Sequence, residues 1–204
     1  MLLINRRSLE GAQHCAAQTT TGDILESVLI DAWVEGESTQ LRVFASDGTI
    51  IGAYIHYLDD IPAIKCQNLR VAVPLPVVTQ ALALSEDRMI ELRLEDDDFS
   101  LFSLAGIEFK PMNGSYPELE QHIPSPQLTV KSDLPRFDSC TFLRAESAFK
   151  AFYGQKKEKV GFGNLTAFVE TETCVLHMGA GHAVVVISPL SFRDKGSYTG
   201  FFKG

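Results

Sequence analysis

The order of apolar and polar positions predicts three copies of one pattern: a short apolar strand, a helix and a series of strands. In the first copy, Ser8 is the predicted N-cap of a helix that runs to about Gln18. The Asp47-Gly48 pair predicts a tight hairpin between two of the following strands. The predicted strands of this copy cover residues 1–5, 24–34, 39–45 and 49–57.

The second copy opens with a strand over residues 70–73, followed by a helix that continues to Leu84. Pro74 and Pro76 fit the start of this helix, because the first helical turn needs no backbone amide donor. Alternating apolar residues then predict strands over residues 90–94, 99–104 and 107–110. The next segment, residues 111–135, is rich in proline and polar side chains, which is typical of a connector.

The third copy contains the clearest helical pattern, over residues 141–153. Its apolar stripe at helical spacing consists of Phe142, Ala145, Phe149 and Phe152. The strands predicted around it cover residues 136–140, 160–162, 165–170, 173–178 and 183–187. Copies that cannot bury their own apolar faces pack on one another. We therefore expect an α+β fold with antiparallel sheets and with the helices on one face.

Composition places the chain among ordinary globular proteins, with 45% apolar and 22% charged residues. No apolar run reaches the roughly 18 residues that span a bilayer. The N-terminal charges follow the first apolar segment, which is the reverse of a signal peptide. Four scattered cysteines without a CxxC pair predict free thiols. These features predict a soluble, cytoplasmic protein without a disulfide framework.

Charge is distributed unevenly along the sequence. Residues 1–122 contain 8 Lys and Arg against 19 Asp and Glu, a net charge of −11. Residues 123–204 contain 10 against 7, a net charge of +3. An acidic total argues against nucleic-acid binding in general. Because the basic residues are clustered, the total of −8 leaves such binding open for the C-terminal part.

Several stretches in this order resemble the bacterial replicative sliding clamp, the beta subunit of DNA polymerase III. The resemblance begins with ILESVLIDAWVEGESTQLRVFASDGTIIGAYI and VAVPLPVVTQAL, which are similar to the clamp's first strands and second helix. It continues with IELRLEDDDFSLFSLAGIEFKPM and with MNGSYPELEQHIP, which resembles the segment between two clamp domains. It ends with FDSCTFLRAESAF and HAVVVISPL, which are similar to the last helix and the last strand. The ordered series covers most of residues 1–192.

The clamp family has three domains, hence six βαβββ units, whereas this sequence shows about three. The resemblance implies a complete clamp-like domain of two units over residues 1–122 and a connector over residues 123–135. A third unit over residues 136–192 then forms half of a second domain or a shortened one, and residues 193–204 form a C-terminal tail. Twelve units complete a ring in this family. Three units per chain imply four chains, and a compressed four-unit chain implies three.

The resemblance implies a DNA sliding clamp, a processivity factor that encircles DNA and tethers a polymerase or other replication and repair partners. Such a protein is not an enzyme, needs no cofactor or metal ion, and forms a homo-oligomeric ring that a clamp loader opens. It contacts duplex DNA through phosphates, without reading the sequence. The candidate DNA-binding residues are Arg6, Arg7, Arg144, Lys150, Lys156, Lys157 and Lys159. The last three are equally typical of a solvated helix end, and the second predicted helix has no basic residue.

In the clamp family, partners insert a short apolar peptide between two domains. The residues that the resemblance assigns to this pocket are Pro117, Gln121, His122, Val186, Ser188, Pro189 and Leu190. Ser188 stands where the family has an apolar residue, and ordinary strand-end packing explains the same pattern. The tail sequence KGSYTGFF resembles the peptide that docks on eukaryotic-type clamps. The favoured interpretation is that its two phenylalanines anchor the tail on its own domain or a neighbour, because an exposed pair of phenylalanines is costly.

Two other functions stay open at this point. A clamp-fold protein that does not close a ring would act as an interaction module for a host clamp, a polymerase or a repair protein. A small metal-dependent enzyme rests only on the loosely metal-like spacing of Cys174, His177 and His182. The glycines at positions 179 and 181 make a hairpin turn the simpler explanation of that spacing. No Gly-x-Ser-x-Gly, Walker or His-Glu-x-x-His motif occurs.

Overall fold

Strands and helices alternate along the part of the chain that the computed structural model describes. This part comprises residues 1–18, 22–35, 38–58, 69–96, 98–117, 139–153, 176–180 and 183–187. Its helices are α1 (Arg6–Gln13), α2 (Leu75–Leu84) and α3 (Ser139–Tyr153), with a short 3₁₀ turn at Ile24–Glu26. Its strands are β1 (Leu2–Asn5), β2 (Ser27–Glu35), β3 (Ser38–Ser46), β4 (Ile50–Leu58), β5 (Leu69–Pro74), β6 (Met89–Leu94), β7 (Phe102–Leu104), β8 (Ile107–Phe109), β9 (Leu176–Ala180) and β10 (Ala183–Ile187). None of the described helices is long and apolar enough to cross a membrane.

The described strands form two antiparallel sheets, in the orders β1-β6-β7-β8 and β5-β2-β3-β4-β10-β9. The first two copies of the pattern exchange their first strands. β1 lies beside β6, with Leu2 opposite Leu92, and β5 lies beside β2, with Val73 opposite Val28. Because each copy supplies a strand to the sheet of the other, the two copies interlock.

The six-stranded sheet continues from the first copy into the third. β10 pairs antiparallel with β4, from Ala183 opposite Tyr54 to Ile187 opposite Ile50. The bounds of β10 confirm the strand predicted over residues 183–187. Its branched valines suit a buried strand, since such side chains pack well on a pleated surface. The third copy therefore adds to the first through continuous backbone hydrogen bonding.

The helices pack on the sheets around one main core. α1 contacts both α2 and α3, and its inner residues Leu9 and Ala12 are fully buried. Ala81 of α2 and Phe152 of α3 belong to the same core cluster. Burial of a leucine-sized side chain contributes about 1.5–3 kcal/mol. The shared core fixes the three helices against the sheets, and the α+β class expected from the sequence is confirmed.

Helix α1 starts and ends earlier than the sequence predicts. Its N-cap is Asn5, whose side-chain oxygen accepts a hydrogen bond from the Arg7 amide at 3.0 Å. The predicted cap, Ser8, lies instead in the first turn, where its hydroxyl donates to the Asn5 carbonyl at 2.6 Å. Both residue types are good N-caps, and Asn5 takes this position because it is the last residue of β1, where the strand leads directly into the helix. The predicted end at Gln18 is also wrong, because α1 ends at Gln13.

Helix α2 confirms the predicted role of the prolines. It begins at Leu75, directly after Pro74, with Pro76 in its first turn, and it ends at Leu84 as predicted. The Asp47-Gly48 hairpin is also confirmed, because it joins β3 to β4 with a φ of 89° at the glycine. This left-handed backbone is accessible to glycine without the usual steric cost.

The prediction of three strands is partly wrong. Ile24–Glu26, predicted as the start of the strand over residues 24–34, forms the 3₁₀ turn that precedes β2. Phe99 has a φ of 56°, so the strand predicted over residues 99–104 is reduced to β7. Asp96 accepts a hydrogen bond from the Ser100 amide at 3.0 Å, which closes the turn at this point. Ser139 and Cys140 lie in α3, so the strand predicted over residues 136–140 is wrong for these two residues.

The last predicted strands lie partly outside the described residues. The strand predicted over residues 173–178 is found as β9, of which the structure describes Leu176–Ala180. The strands predicted over residues 160–162 and 165–170 lie outside the described part of the chain.

Candidate nucleic-acid interface

Helices α1 and α3 carry all the candidate DNA-binding residues that the structure describes. They hold four cationic side chains, on Arg6, Arg7, Arg144 and Lys150, against the two carboxylates Glu10 and Glu146. α2 has no charged residue at all. The helices therefore carry a small positive charge within a strongly acidic protein, and the partners of each cation decide whether it is available to phosphates.

Arg6 joins the start of α1 to the end of α2. Its Nε forms an ion pair with Glu10 at 2.7 Å, and its Nη2 donates to the Leu82 carbonyl at 2.8 Å. Its Nη1 donates to the Ser85 carbonyl. These carbonyls lie at the C-terminal end of α2, where backbone acceptors have no partner within the helix. Arg6 thus caps α2, and its side chain is only 24% exposed.

Arg7 and Lys150 lie further out. Arg7 is exposed on α1. Lys150 forms an ion pair with Glu146 one turn earlier in α3, and its side chain is 44% exposed. Such exposed pairs contribute little stability, so the ammonium exchanges partners at low cost. Of the candidate cations on the described helices, these two are the most accessible to DNA.

Arg144 binds three acceptors where α3 meets the first copy. Its Nε donates to the His14 carbonyl at 3.1 Å and its Nη2 to the Ala16 carbonyl at 3.0 Å, both just beyond the end of α1. Its Nη1 forms an ion pair with Oδ2 of Asp47 in the β3–β4 turn. A planar guanidinium with five N–H donors suits such a divergent set of acceptors.

Asp47 uses its two carboxylate oxygens for different tasks. Oδ1 accepts hydrogen bonds from the Thr49 amide and hydroxyl, both at 2.8 Å, and from the Ile50 amide at 3.0 Å. Oδ2 binds Arg144. Burial alone would raise the pKa of Asp47, but the hydrogen bonds from Thr49, Arg144 and Ile50 outweigh it and hold that pKa below its usual value. The carboxylate therefore stays ionised well into the acidic range.

The end of α1 places two further titratable groups beside this ion pair. Burial and the positive charge of Arg144 lower the pKa of His14, while Glu10 opposes them weakly. Cys15 is completely buried, and burial raises the pKa of its thiol far above the ordinary range. A buried neutral thiol is a poor nucleophile, so the structure gives Cys15 a packing role.

Close packing accompanies the polar contacts between α1 and α3. Gly11 of α1 lies against the ring of Phe152, and a Cβ at this glycine would overlap that ring. The same ring lies 5.7 Å from that of Tyr54 on β4, centroid to centroid. Arg144 and Phe152 thus attach the two ends of α3 to the first copy.

Two of the residues predicted for the partner pocket lie in the described part of the chain. Pro117 is exposed and follows Tyr116, whose hydroxyl donates to the Ser27 carbonyl at 3.3 Å. Val186 is buried on β10. The remaining predicted site residues outside the described part are Gln121, His122, Lys156, Lys157, Lys159, Ser188, Pro189 and Leu190.

Within the described residues, no group of three or more His, Cys, Asp or Glu side chains is arranged to hold a metal ion. Of the metal-like set, Cys174 and His182 lie outside this part, and only the backbone of His177, on β9, is described.

Sequence analysis missed a shallow hollow on the outer face of the four-stranded sheet. It has a volume of about 220 Å³ and is lined by Glu91, Arg93, Glu95, Ser103, Gly106 and Glu108. Arg93 pairs with Glu91 at 2.6 Å and thereby lowers the pKa of that carboxyl. The alternation in the segment from Glu91 to Glu95 was the signal for this outward-facing charged row.

The arrangement of sheets and helices is similar to that of several solved structures. The chain is similar to the DNA polymerase sliding clamp of Caulobacter crescentus, with a TM-score of 0.64 and 12% identity, over 93% of this chain and 65% of that chain. The chain has the sliding-clamp fold. The polymerase III beta subunits of Thermotoga maritima (TM-score 0.63, 12% identity) and Pseudomonas aeruginosa (0.62, 13%) are matched over 93% of this chain and 65% and 66% of theirs.

These solved structures confirm, at the level of the fold, the resemblance to sliding clamps that the sequence indicates. No protein-family model and no curated relative matches the sequence. The chain spans about two thirds of the length of the clamps that it resembles. A fold supports many functions, so the function follows from the site and needs its own test.

Proposed function

We propose that the protein is a short DNA sliding clamp, which encircles duplex DNA and tethers a polymerase or repair protein to it. The observation that carries this proposal is the pairing of β4 with β10, within a chain that has the clamp fold. Pairing between the edge strands of successive units extends one sheet around a curve, and a closed ring needs such a repeatable joint. In this proposal the protein works in the cytoplasm and catalyses no reaction.

The proposed domain organisation follows the strand exchange between the first two copies. Residues 1–122 form one complete clamp domain, residues 123–135 a connector and residues 136–192 a third unit, with a tail over residues 193–204. A ring of twelve units then contains four chains, or three if the chain holds a compressed fourth unit. In this proposal a clamp loader opens the ring.

The proposed DNA contacts are cations around the helices. Arg7 and Lys150 are the most accessible of these on the described helices. Lys156, Lys157 and Lys159 follow α3 in the sequence and extend the set. Contacts to phosphates carry no sequence information and are weakened by salt, which is what a sliding protein requires. Arg6 contributes less to this surface, because it caps α2.

The proposed partner site combines residues at the end of the first domain, including the exposed Pro117, with residues at the end of the third unit. An apolar peptide from a polymerase or repair protein would lie against Leu190 and Pro189, beyond the end of β10. Gln121, His122, Val186 and Ser188 complete the proposed set. Ser188 makes this site less apolar than the corresponding position of the family.

The test of the clamp proposal has two steps. Light scattering behind a sizing column gives the solution mass, and we expect three or four times the 22.5 kDa of one chain. The assembled protein is then bound to nicked circular DNA, and the circle is cut with a restriction enzyme. A topological ring stays on the circle at raised salt and leaves the linear product through its ends. Equal loss from circular and linear DNA contradicts encirclement.

A second candidate function is an interaction module with the clamp fold that does not close a ring. The observation that favours it is the engagement of Arg6 and Arg144 inside the molecule, together with the uncharged α2. For this function we expect a stable monomer that does not bind DNA even at low salt. The same light-scattering measurement therefore separates the two candidates.

A further inference from the structure

Arg144 was predicted as a DNA contact, but its surroundings point to a different task. All three of its described acceptors belong to the first copy: the carbonyls of His14 and Ala16, and the carboxylate of Asp47. Arg144 itself belongs to α3 of the third copy. We propose that Arg144 and Asp47, the junction pair, are positioning residues that hold the third copy at a fixed angle to the first, and that Arg144 does not bind DNA.

The first step is the geometry of the acceptors. Two of them are the backbone carbonyls of His14 and Ala16, just beyond the end of α1 that carries partial negative charge, and the Ala16 carbonyl also accepts a hydrogen bond from the Gln18 side chain at 3.1 Å. The third is a carboxylate whose side chain is only 14% exposed. Arg144 therefore meets negative charge on two separate elements at once. A phosphate would have to displace Asp47 and compete with both carbonyls.

The second step is the preparation of Asp47 for this contact. Its Oδ1 is held by the Thr49 and Ile50 donors of the β3–β4 turn, which leaves Oδ2 directed at Arg144. A carboxylate already fixed by its own turn loses little freedom when it binds the guanidinium. The β3–β4 turn thus holds the carboxylate of Asp47 preorganised for its contact with Arg144 of the third copy.

The third step is the distribution of contacts along the junction. Arg144 attaches the first half of α3 to the end of α1, and Phe152 attaches its last turn to Gly11. β10 runs along β4 beside them. Sheet pairing alone permits a range of twist angles between neighbouring strands. The two attachment points on α3 remove that freedom and set the angle between copies.

This inference goes beyond the proposed function, because it holds whether or not the chain encircles DNA. The experiment uses the full chain and the variants Arg144→Met, Asp47→Asn and their combination. The amide in Asp47→Asn keeps the oxygen that accepts from the turn, so the hairpin is retained, but it replaces Oδ2, the acceptor of Arg144, with an uncharged NH2 donor. Lys150→Met is the matched control, since it removes a cation from the same helix that is paired with Glu146.

The first measurement is amide hydrogen exchange in β10, with β6 as an internal reference. We expect Arg144→Met and Asp47→Asn each to lower the protection of β10 by about tenfold or more and to leave β6 unchanged. We expect the combined variant to lose no more than the larger single effect, because both substitutions break one interaction. We expect Lys150→Met to leave β10 unchanged. Unchanged β10 protection in both single variants, or fully additive losses, would overturn the proposal.

The second measurement is the affinity for a short fluorescent DNA duplex at low salt. If Arg144 bound phosphates, its removal would weaken binding, whereas removal of the Asp47 charge would strengthen it. If Arg144 and Asp47 act only as the junction pair, we expect Arg144→Met and Asp47→Asn either to leave the DNA affinity unchanged or to change it in the same direction. Opposite changes in affinity with unchanged exchange in β10 would assign Arg144 to DNA. A failure of ring formation in the unmodified chain rejects the clamp proposal only and leaves this comparison valid.

Discussion

At Gly11 the absence of a side chain is a packing requirement. The ring of Phe152 fills the space that a Cβ would take, so α1 and α3 approach each other at this residue. Asp47 is also fitted to a specific partner, because one of its carboxylate oxygens accepts hydrogen bonds within its own turn and the other binds the distant Arg144. In each case one residue of the first copy is fitted to one residue of the third.

The first prediction concerns Gly11→Ala. Alanine normally stabilises a helix by about 1 kcal/mol relative to glycine. Overlap with the Phe152 ring reverses this gain, because overpacking of a core costs about 1–3 kcal/mol. We expect a lower free energy of unfolding, measured by urea denaturation. The control is Gly11→Ala combined with Phe152→Leu, in which the smaller side chain relieves the overlap. A more stable single variant would contradict this packing.

Part of this residue-level picture follows from sequence and part does not. The Asp47-Gly48 turn is predicted correctly because turn formation depends on neighbouring residues alone. Arg144, the partner of Asp47, lies 97 residues further along the sequence, and no local sequence pattern predicts this contact. Arg144 was accordingly assigned to DNA on charge, whereas the structure shows which acceptors it has already bound. The sites predicted for peptide binding stay predictions.

At the scale of elements, the ends of helices decide how the copies join. Arg6 caps the C-terminal end of α2, and Arg144 caps that of α1. Both cations come from a different helix, so each cap is also a contact between helices. Sequence predicts the existence of α1, α2 and α3 through their apolar spacing. It misplaces the start of α1, because Asn5 and Ser8 compete for the cap and only the position of β1 decides between them.

The second prediction concerns pH and the end of α1. Burial and Arg144 lower the pKa of His14 below its ordinary value of 6.5. The unfolded chain therefore binds this proton first as the pH falls, so the free energy of unfolding decreases below about pH 6.5. The carboxylate of Asp47, whose pKa is also lowered, acts only at more acidic pH. We expect His14→Gln to flatten the decline in urea midpoint between about pH 7.5 and 5.5, and an identical decline would contradict it.

At the scale of the whole molecule, the described helices and the outer face of the four-stranded sheet differ in their balance of positive and negative charge. The described helices carry more cations than carboxylates, and the outer face of the four-stranded sheet carries Glu91, Glu95 and Glu108. Under the proposed function, this difference in charge would orient the molecule on DNA, with the helices toward the phosphates and the sheet away from them. The −8 total of the sequence conceals this arrangement, because it sums over both faces.

The third prediction concerns this difference in charge. Binding to duplex DNA weakens with salt by a slope of roughly −0.9 for each phosphate contacted. We expect substitution of Lys156, Lys157 and Lys159 by Glu to weaken binding and to reduce the slope by about two to three. Fluorescence anisotropy over a range of salt concentrations measures both. The same slope in the triple variant would remove these lysines from the interface.

A pair of single charge reversals controls the interpretation. Lys150→Glu changes the helix side, and Arg93→Glu changes the outer face of the four-stranded sheet. We expect only the first to lower DNA affinity. Equal losses from the two reversals would mean that net charge alone, and not the helix face, governs binding.

The exchange of first strands between the first two copies also has a consequence for synthesis on the ribosome. β1 finds its partner in β6, so residues 2–5 have no sheet to join until residues 89–94 have been made. β5 likewise completes the sheet that residues 27–58 begin. Contacts between residues so distant in sequence form late, because closing the long intervening loop costs conformational entropy before any contact is made that offsets this cost. β2, β3 and β4 can pair with one another as they emerge, whereas the apolar β1 stays unpaired until β6 has been made. The yield of the protein in a cell therefore depends on how β1 is shielded during that interval.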